Sequence, residues 1–399
     1  MHVIARAVAD GPPGAPVRDR GRWTTVAVLG IGTFAIGTDM FVVAGVLAGL
    51  ADDLGVTVGA AGLTVTVFAL AYATGAPLLG ALFGTRPLRR TLIGSVVLFG
   101  LFNVMSAVAP TLGVLFVARV LSALAASVYV PVAGAAAVAA VPASHRGRAL
   151  GVILGGASIA MVLGAPLGVL LAALLSWRAA FTLVAVLAAV TVLGLLGSGV
   201  GSGPLIASTV RERLRPMRSP IVAATLAVTF LVMAASNSMY TYLAVLLGSA
   251  AGSVGLGLFI GAFGLGGLVG TWSGGAAADR LGSRPVVLLA VTVLTACFAV
   301  LPVVATTVAG ALTLVVGWGI AAFGFVPAQQ HRLIGLDVGR PPLVLALNSS
   351  ATHFGFATGA LFGGLVVDAG GAGRLWLLAS ACCAAALILH ATHTREVRS

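Results

Sequence analysis

The sequence predicts an all-α membrane protein, twelve transmembrane helices in two pseudo-symmetric six-helix bundles. Three observations predict it: an apolar composition, an uneven distribution of arginine, and an internal repeat. Of 399 residues, 59% are hydrophobic and only 8% charged, with mean hydropathy +1.13, far from the roughly 25% charged residues of a soluble domain. Such a chain has too little polar surface to face water, and at about 20 residues per crossing it has room for about a dozen spans.

Apolar stretches bounded by charge or by Gly and Pro run over 24–48, 61–83, 91–109, 111–138, 149–173 and 178–200, then over 220–247, 254–277, 285–307, 308–333, 343–368 and 374–392. All 22 basic residues are arginine, against 10 acidic ones. A nucleic-acid partner would want them clustered on one wetted face, whereas here they are dealt out between spans, so no nucleic-acid binding is expected. Counted by alternate loops, nineteen fall on one side, from Arg6 to Arg22, Arg86 to Arg90, Arg146 and Arg148, Arg211 to Arg218, Arg280 and Arg284, Arg332 and Arg340, and Arg395 and Arg398. The other side receives Arg178 and Arg374, and Arg119 falls inside a span. The positive-inside rule then places both termini in the cytoplasm and requires an even number of spans. The expected location is the inner (cytoplasmic) cell membrane.

The halves repeat. Gly75, Gly80 and Arg89 match Gly270, Gly275 and Arg284 at an offset of 195; Gly164 and Gly168 match Gly359 and Gly363 at the same offset; Val130-Pro131 and Val326-Pro327 align at 196. The expected organisation is a cytoplasmic tail over 1–22, a six-helix bundle over 23–200, a polar cytoplasmic linker over 201–219, a second bundle over 220–392, and a C-terminal cytoplasmic tail over 393–399. Residues 1–22 lack the apolar core of a signal peptide. Cys297, Cys382 and Cys383 sit in apolar stretches without ligand spacing, so neither disulfide nor metal is expected.

Parallel six-span repeats with a cavity between them describe one transporter architecture, and here the chain resembles the major facilitator superfamily over nearly its whole length. The run Gly32-Thr33-Phe34-Ala35-Ile36-Gly37-Thr38-Asp39-Met40-Phe41-Val42-Val43-Ala44-Gly45 is similar to the first helix of the twelve-span drug:proton antiporters, in the branch of chloramphenicol and arabinose efflux proteins. The resemblance implies the major facilitator fold and alternating access. Gly275-Ala276-Ala277-Ala278-Asp279-Arg280-Leu281-Gly282-Ser283-Arg284 is similar to the superfamily's cytoplasmic loop signature. Asp279 ends its own helix, where the dipole disfavours an anion, so it should seek Arg280, Arg284 or a neighbouring helix N-terminus; the resemblance implies a conformational latch. A solvated turn with ordinary topology charges is the bland alternative. The first-half copy, from Gly80 to Arg90, puts Gly84 where the acid belongs, and its arginines read equally well as topology determinants.

Asp39 and Arg119 are the acidic and basic residues well inside predicted spans, at a cost of roughly 2.5–3.5 kcal/mol each even on lenient scales. At about 1.5 Å per residue, both fall in the outer half or middle of the bilayer. The resemblance adds that the fourth helix of proton antiporters often carries such an arginine. Asp39 is therefore the candidate proton carrier, its proton affinity set by burial beside Arg119; a static ion pair between helices is the alternative. Gly164, Pro166 and Gly168 partly match the antiporter helix-packing motif, with packing alone as the rival. Thr38, Asn237, Tyr240, Gln329, Gln330, Asn348 and His353 are candidates to line a substrate cavity, or else interhelical hydrogen-bonding groups.

No phosphate-cradling motif is present, so an ion gradient is the expected energy source and no cofactor is implied. The reading is a proton-coupled exporter of small drug-like or antibiotic compounds, with protons, the lipid bilayer and a small-molecule substrate as partners and a monomer as the expected state. Efflux of a sugar, nucleoside or amino-acid-like metabolite is the alternative within the fold. A membrane enzyme or scaffold is a third reading, and a single Asp39 supplies no catalytic pair for it.

Overall fold

The computed structural model describes residues 19–82, 86–201, 210–247, 255–336 and 341–393, and within them twelve helices are long and apolar enough to cross a membrane. Hydrocarbon offers the backbone no hydrogen-bond partners, so a crossing segment satisfies its N–H and C=O groups within itself, as a helix. In chain order they are α1 (Asp19–Leu54), α2 (Val58–Leu82), α3 (Leu88–Ala107), α4 (Leu112–Ala140), α5 (Ala143–Leu174), α6 (Trp177–Gly197), α7 (Pro220–Thr241), α8 (Leu256–Leu281), α9 (Ser283–Val304), α10 (Val308–Gly335), α11 (Pro341–Gly370) and α12 (Leu375–His393). A short turn of helix, Val210–Leu214, lies between the halves and packs on α2 and α11. Residues 1–18 of the expected tail over 1–22, residues 394–399 of that over 393–399, residues 202–209 of the expected linker, and Gly84 lie outside the described residues, while α1 already begins at Asp19.

Each half is built by the same packing scheme. In the first half α1 packs on α5 and α6, α2 on α4, and α3 on α4 and α6; the second half repeats every one of these pairs six helices later. The sequence repeat occupies equivalent contacts. Gly75 of α2 lies against Leu124 of α4, and Gly270 of α8 against Ile320 of α10. Gly164 and Gly168 of α5 lie against Thr38 and Val42 of α1, whereas Gly359 and Gly363 of α11 lie against Ala234 and Ser238 of α7. The helix starts repeat as well: Thr111 caps α4 by accepting from the Val114 amide, and Thr307 caps α10 by accepting from that of Gly310.

α5 breaks its regular winding with one turn of π-helix, Ala160–Gly164, immediately before Pro166. A proline cannot donate to the carbonyl four residues back, and a π-turn is a common way for a helix to absorb such a fault.

The halves meet along α2–α11 and α5–α8, two seams that the pseudo-twofold exchanges, and where α1 touches α7. Thr66 donates to the Ala357 carbonyl at 3.3 Å, Ser350 to that of Ala73 at 3.1 Å, and the Tyr240 hydroxyl to that of Phe41 at 3.1 Å. At the arginine-poor end, Asp368 in the last turn of α11 accepts from the Thr57 hydroxyl at 2.9 Å and the Gly59 amide at 3.1 Å. It therefore sits on the N-terminus of α2, whose dipole favours the anion that its own helix end disfavours. The α5–α8 seam is tight in the same half of the membrane: a Cβ on Gly264 would reach the backbone at Met161 and Val162, and Gly257 and Gly261 face Pro166. Gly147, Gly151 and Gly155, in the arginine-rich half of α5, face open space.

The equivalent glycines differ in what surrounds them, which sets a test. Alanine at 75 would press on the Ser127 and Leu124 side chains, which can rotate, whereas alanine at 270 would press on the backbone at Ile320. Gly270→Ala is expected to cost about 1–3 kcal/mol and Gly75→Ala less, read as the lowering of the thermal unfolding midpoint in detergent.

Candidate functional site

The most polar point inside the first half lies where α1, α3 and α4 meet. Arg119 Nη1 donates to Asp39 Oδ1, with the side chains 1% and 0% exposed. The guanidinium lies over the Phe68 ring of α2 at 4.2 Å and 5.5 Å from the Phe181 ring of α6, so aromatic faces as well as the carboxylate hold the cation. Asn103 of α3 is the third polar group facing this carboxylate. Its amide nitrogen donates to the Phe99 carbonyl at 3.0 Å.

The polar atoms do not balance. Asp39 Oδ2, Asn103 Oδ1 and Arg119 Nε are buried without a partner. Two of the three are acceptors lacking a hydrogen, and a buried acceptor without a donor is expensive. Nor does the repeat contain a second copy: at the offsets that relate the packing glycines and helix caps, Asp39, Asn103 and Arg119 correspond to Ala235, Phe298 and Val315. Those three are buried in one apolar cluster that spans both halves.

Most candidates for the cavity wall are committed elsewhere. Thr38 is buried and donates to the Phe34 carbonyl of its own helix. Asn237 donates to the Phe356 carbonyl at 2.7 Å. Gln329 donates to the Thr225 carbonyl at 2.7 Å and to the Thr229 hydroxyl at 3.1 Å, and that hydroxyl donates onward to Asn348 at 2.8 Å. These bonds tie α7 to α10 and α11, because in hydrocarbon an amide side chain gains most by bonding a neighbouring helix. Gln330 is half-buried and stands outside this chain of bonds. His353 Nδ1 donates to the Ser349 carbonyl at 2.8 Å, and its ring stacks on Tyr72 at 3.9 Å, across the seam between the halves. Tyr240 joins Phe41, Phe263 and Trp318 in an aromatic cluster where α1, α7, α8 and α10 converge.

The packing motif of α5 faces two ways. Gly164 and Gly168 meet α1, whereas Pro166 meets Gly257 and Gly261 of α8 across the seam. Among the described residues, the latch contact expected in the loop after α8 is not made in this conformation. Asp279 and Arg280 are exposed at the end of α8, Arg284 is exposed at the start of α9, and among the described residues Asp279 forms no ion pair with either arginine or any other. Exposure to solvent removes the need for a partner. Gly282 has φ +83°, a left-handed turn that suits glycine, and its amide donates to the Ala278 carbonyl. Gly275, its Cβ position 3.9 Å from Pro327, faces α10.

Sequence reasoning missed Asn103, although the signal existed: the chain has three asparagines and all lie in spans. It also missed Asp368, whose partner is 311 residues away.

Compared with known proteins, the chain matches the model of the Major Facilitator Superfamily over residues 29–338. It is 33% identical over 358 residues to a chloramphenicol resistance protein of Streptomyces lividans, covering 88% of this chain and 91% of that one. It is 30% identical to the inner membrane transport protein YdhP of Escherichia coli (strain K12), covering 86% and 88%. Among solved structures it superposes on a bacterial homologue of the human lysosomal transporter Spinster, with TM-score 0.73 at 15% identity over 96% of this chain and 98% of that one. On the nucleoside transporter NupG the values are 0.74 and 11%, over 94% and 99%.

Removing one member of a buried pair strands the other charge, at about 3–5 kcal/mol. Arg119→Leu is expected to lower thermal stability by that order, and Asp39→Leu combined with Arg119→Leu to lower it less. An additive double variant would show that the two side chains are not coupled.

Proposed function

The chain belongs to the major facilitator superfamily, and from that membership we propose that it is a proton-coupled exporter of small drug-like compounds, working by alternating access. The observation that carries the proposal is the Asp39–Arg119 pair, the buried ion pair among the described residues, with two acceptors that lack a hydrogen, Asp39 Oδ2 itself and Oδ1 of the neighbouring Asn103. A proton on Asp39 Oδ2 gives the carboxyl, which Asn103 faces, a hydrogen to donate. The same proton cancels the charge that holds Arg119. Loading and unloading therefore change how tightly α1 is tied to α4, the kind of differential interaction that a conformational switch requires. Asn103 acts here as a positioning residue.

The arginine split supports a cytoplasmic location for both termini. On that orientation, the bonds of Asp368 to Thr57 and Gly59 close the external end, and alternating access must break them. When that end opens, α1 parts from α7 and the aromatic cluster around Tyr240 is uncovered. Its rings suit apolar or aromatic compounds. The kinship to a chloramphenicol resistance protein favours antibiotic-like cargo, and Asp279, exposed here, is available to latch the cytoplasmic end in the opposite conformation.

In a strain lacking its own efflux pumps, the wild-type chain is expected to raise resistance to at least one amphiphilic antibiotic, and Asp39→Asn to abolish the gain while the protein still reaches the membrane. Retained resistance in that variant would remove Asp39 from the mechanism. In proteoliposomes with an imposed pH gradient, Asn103→Leu is expected to transport at least tenfold more slowly and with an altered pH–rate profile. A purely structural asparagine would leave the profile unmoved.

A further inference from the structure

A groove of about 470 Å³ runs between α2, α3 and α4, away from the seams between the halves. Arg86 and Arg90 line it at its arginine-rich end, and Phe102 lies at the other. From Arg90 to Phe102 the helix advances about 18 Å at 1.5 Å per residue, close to the hydrocarbon depth of one leaflet, about 15 Å. Its polar wall atoms are spent locally: Thr91 donates to the Pro87 carbonyl at 3.1 Å and Ser95 to that of Leu92 at 3.0 Å.

The arginines differ in use. Arg89 donates to the Leu196 carbonyl at 2.9 Å and so holds α3 to α6. Arg86 and Arg90 are exposed, and no carboxylate among the described residues forms an ion pair with either. Gly94 forms a notch in the wall, where an added Cβ would meet nothing within 4 Å.

We infer that this groove holds an anionic phospholipid of the cytoplasmic leaflet, its phosphate on Arg86 and Arg90 and an acyl chain lying past Gly94 to Phe102. Two guanidiniums at headgroup level, ion-paired to no carboxylate among the described residues, supply the charge, since arginine binds phosphate oxygens in its fork, and basic pockets between helices on the cytoplasmic side suit such headgroups. The leaflet assignment rests on the orientation given above; the site itself rests on the groove.

The test is native mass spectrometry of the delipidated full-length protein with phosphatidylglycerol, or with phosphatidylethanolamine of the same chains. Wild type is expected to retain one phosphatidylglycerol at least tenfold more tightly than phosphatidylethanolamine, and millimolar inorganic phosphate is expected not to displace it. Both Arg86→Gln with Arg90→Gln, and Gly94→Leu, whose Cβ enters open space in the notch, are expected to lose that tightness. Equal retention of the two lipids, wild-type binding by either variant, or displacement by phosphate alone would overturn the site. Labelling of Arg90→Cys by an impermeant thiol reagent in sealed vesicles of each orientation reports the leaflet separately.

Discussion

A hydrocarbon solvent withdraws the hydrophobic drive that assembles soluble helices, because lipid tails are as apolar as leucine. Close contact is what remains, and it explains the placement of small residues. Where α2 meets α4, α8 meets α10, and α5 and α11 meet α1 and α7, a glycine lets one helix settle on the next. Duplication preserved these contacts rather than the side chains around them, so the repeat survives as glycines, helix caps and two prolines. The same constraint shapes the seams between the halves, where small residues such as Gly264 allow close approach and, among the described residues, few hydrogen bonds cross.

Against that apolar background, the first half carries a charge and the second does not. Asp39, Asn103 and Arg119 occupy positions that the second half fills with Ala235, Phe298 and Val315. Packing is therefore shared between the halves, whereas, among the described residues, the buried Asp39–Arg119 ion pair belongs to the first alone. Division of that kind separates the ion pair from the aromatic residues Phe263 and Trp318, which pack with Tyr240 where it meets Phe41 of the first half.

Much of this was legible in the sequence. Span count, repeat and the Asp39–Arg119 pairing follow from local features: hydropathy over a window, a constant offset, and the high cost of isolated charges in hydrocarbon. Less legible were interactions decided by partners distant in the chain. Asn237, Gln329 and Asn348 read either as cavity lining or as interhelical bonding groups, because a polar residue in a span is ambiguous until the neighbouring helix is known, and the structure shows the second. Asp279 drew attention by its motif, yet the acid that joins the halves is Asp368, in a turn without a distinctive pattern. The π-turn before Pro166 was likewise invisible, since the proline marks a fault without saying how the helix accommodates it.

The proposed coupling through Asp39 would also set a thermodynamic ceiling. One proton per cycle, driven by the membrane potential alone through 100 mV, would release about 2.3 kcal/mol. At 1.4 kcal/mol per decade, that sustains a concentration ratio of roughly forty for a neutral compound. A machine so limited keeps the cell interior dilute only while it outruns leakage back through the bilayer. Its effectiveness against a permeable antibiotic would then be governed by turnover and copy number rather than by how steep a gradient it could hold at rest.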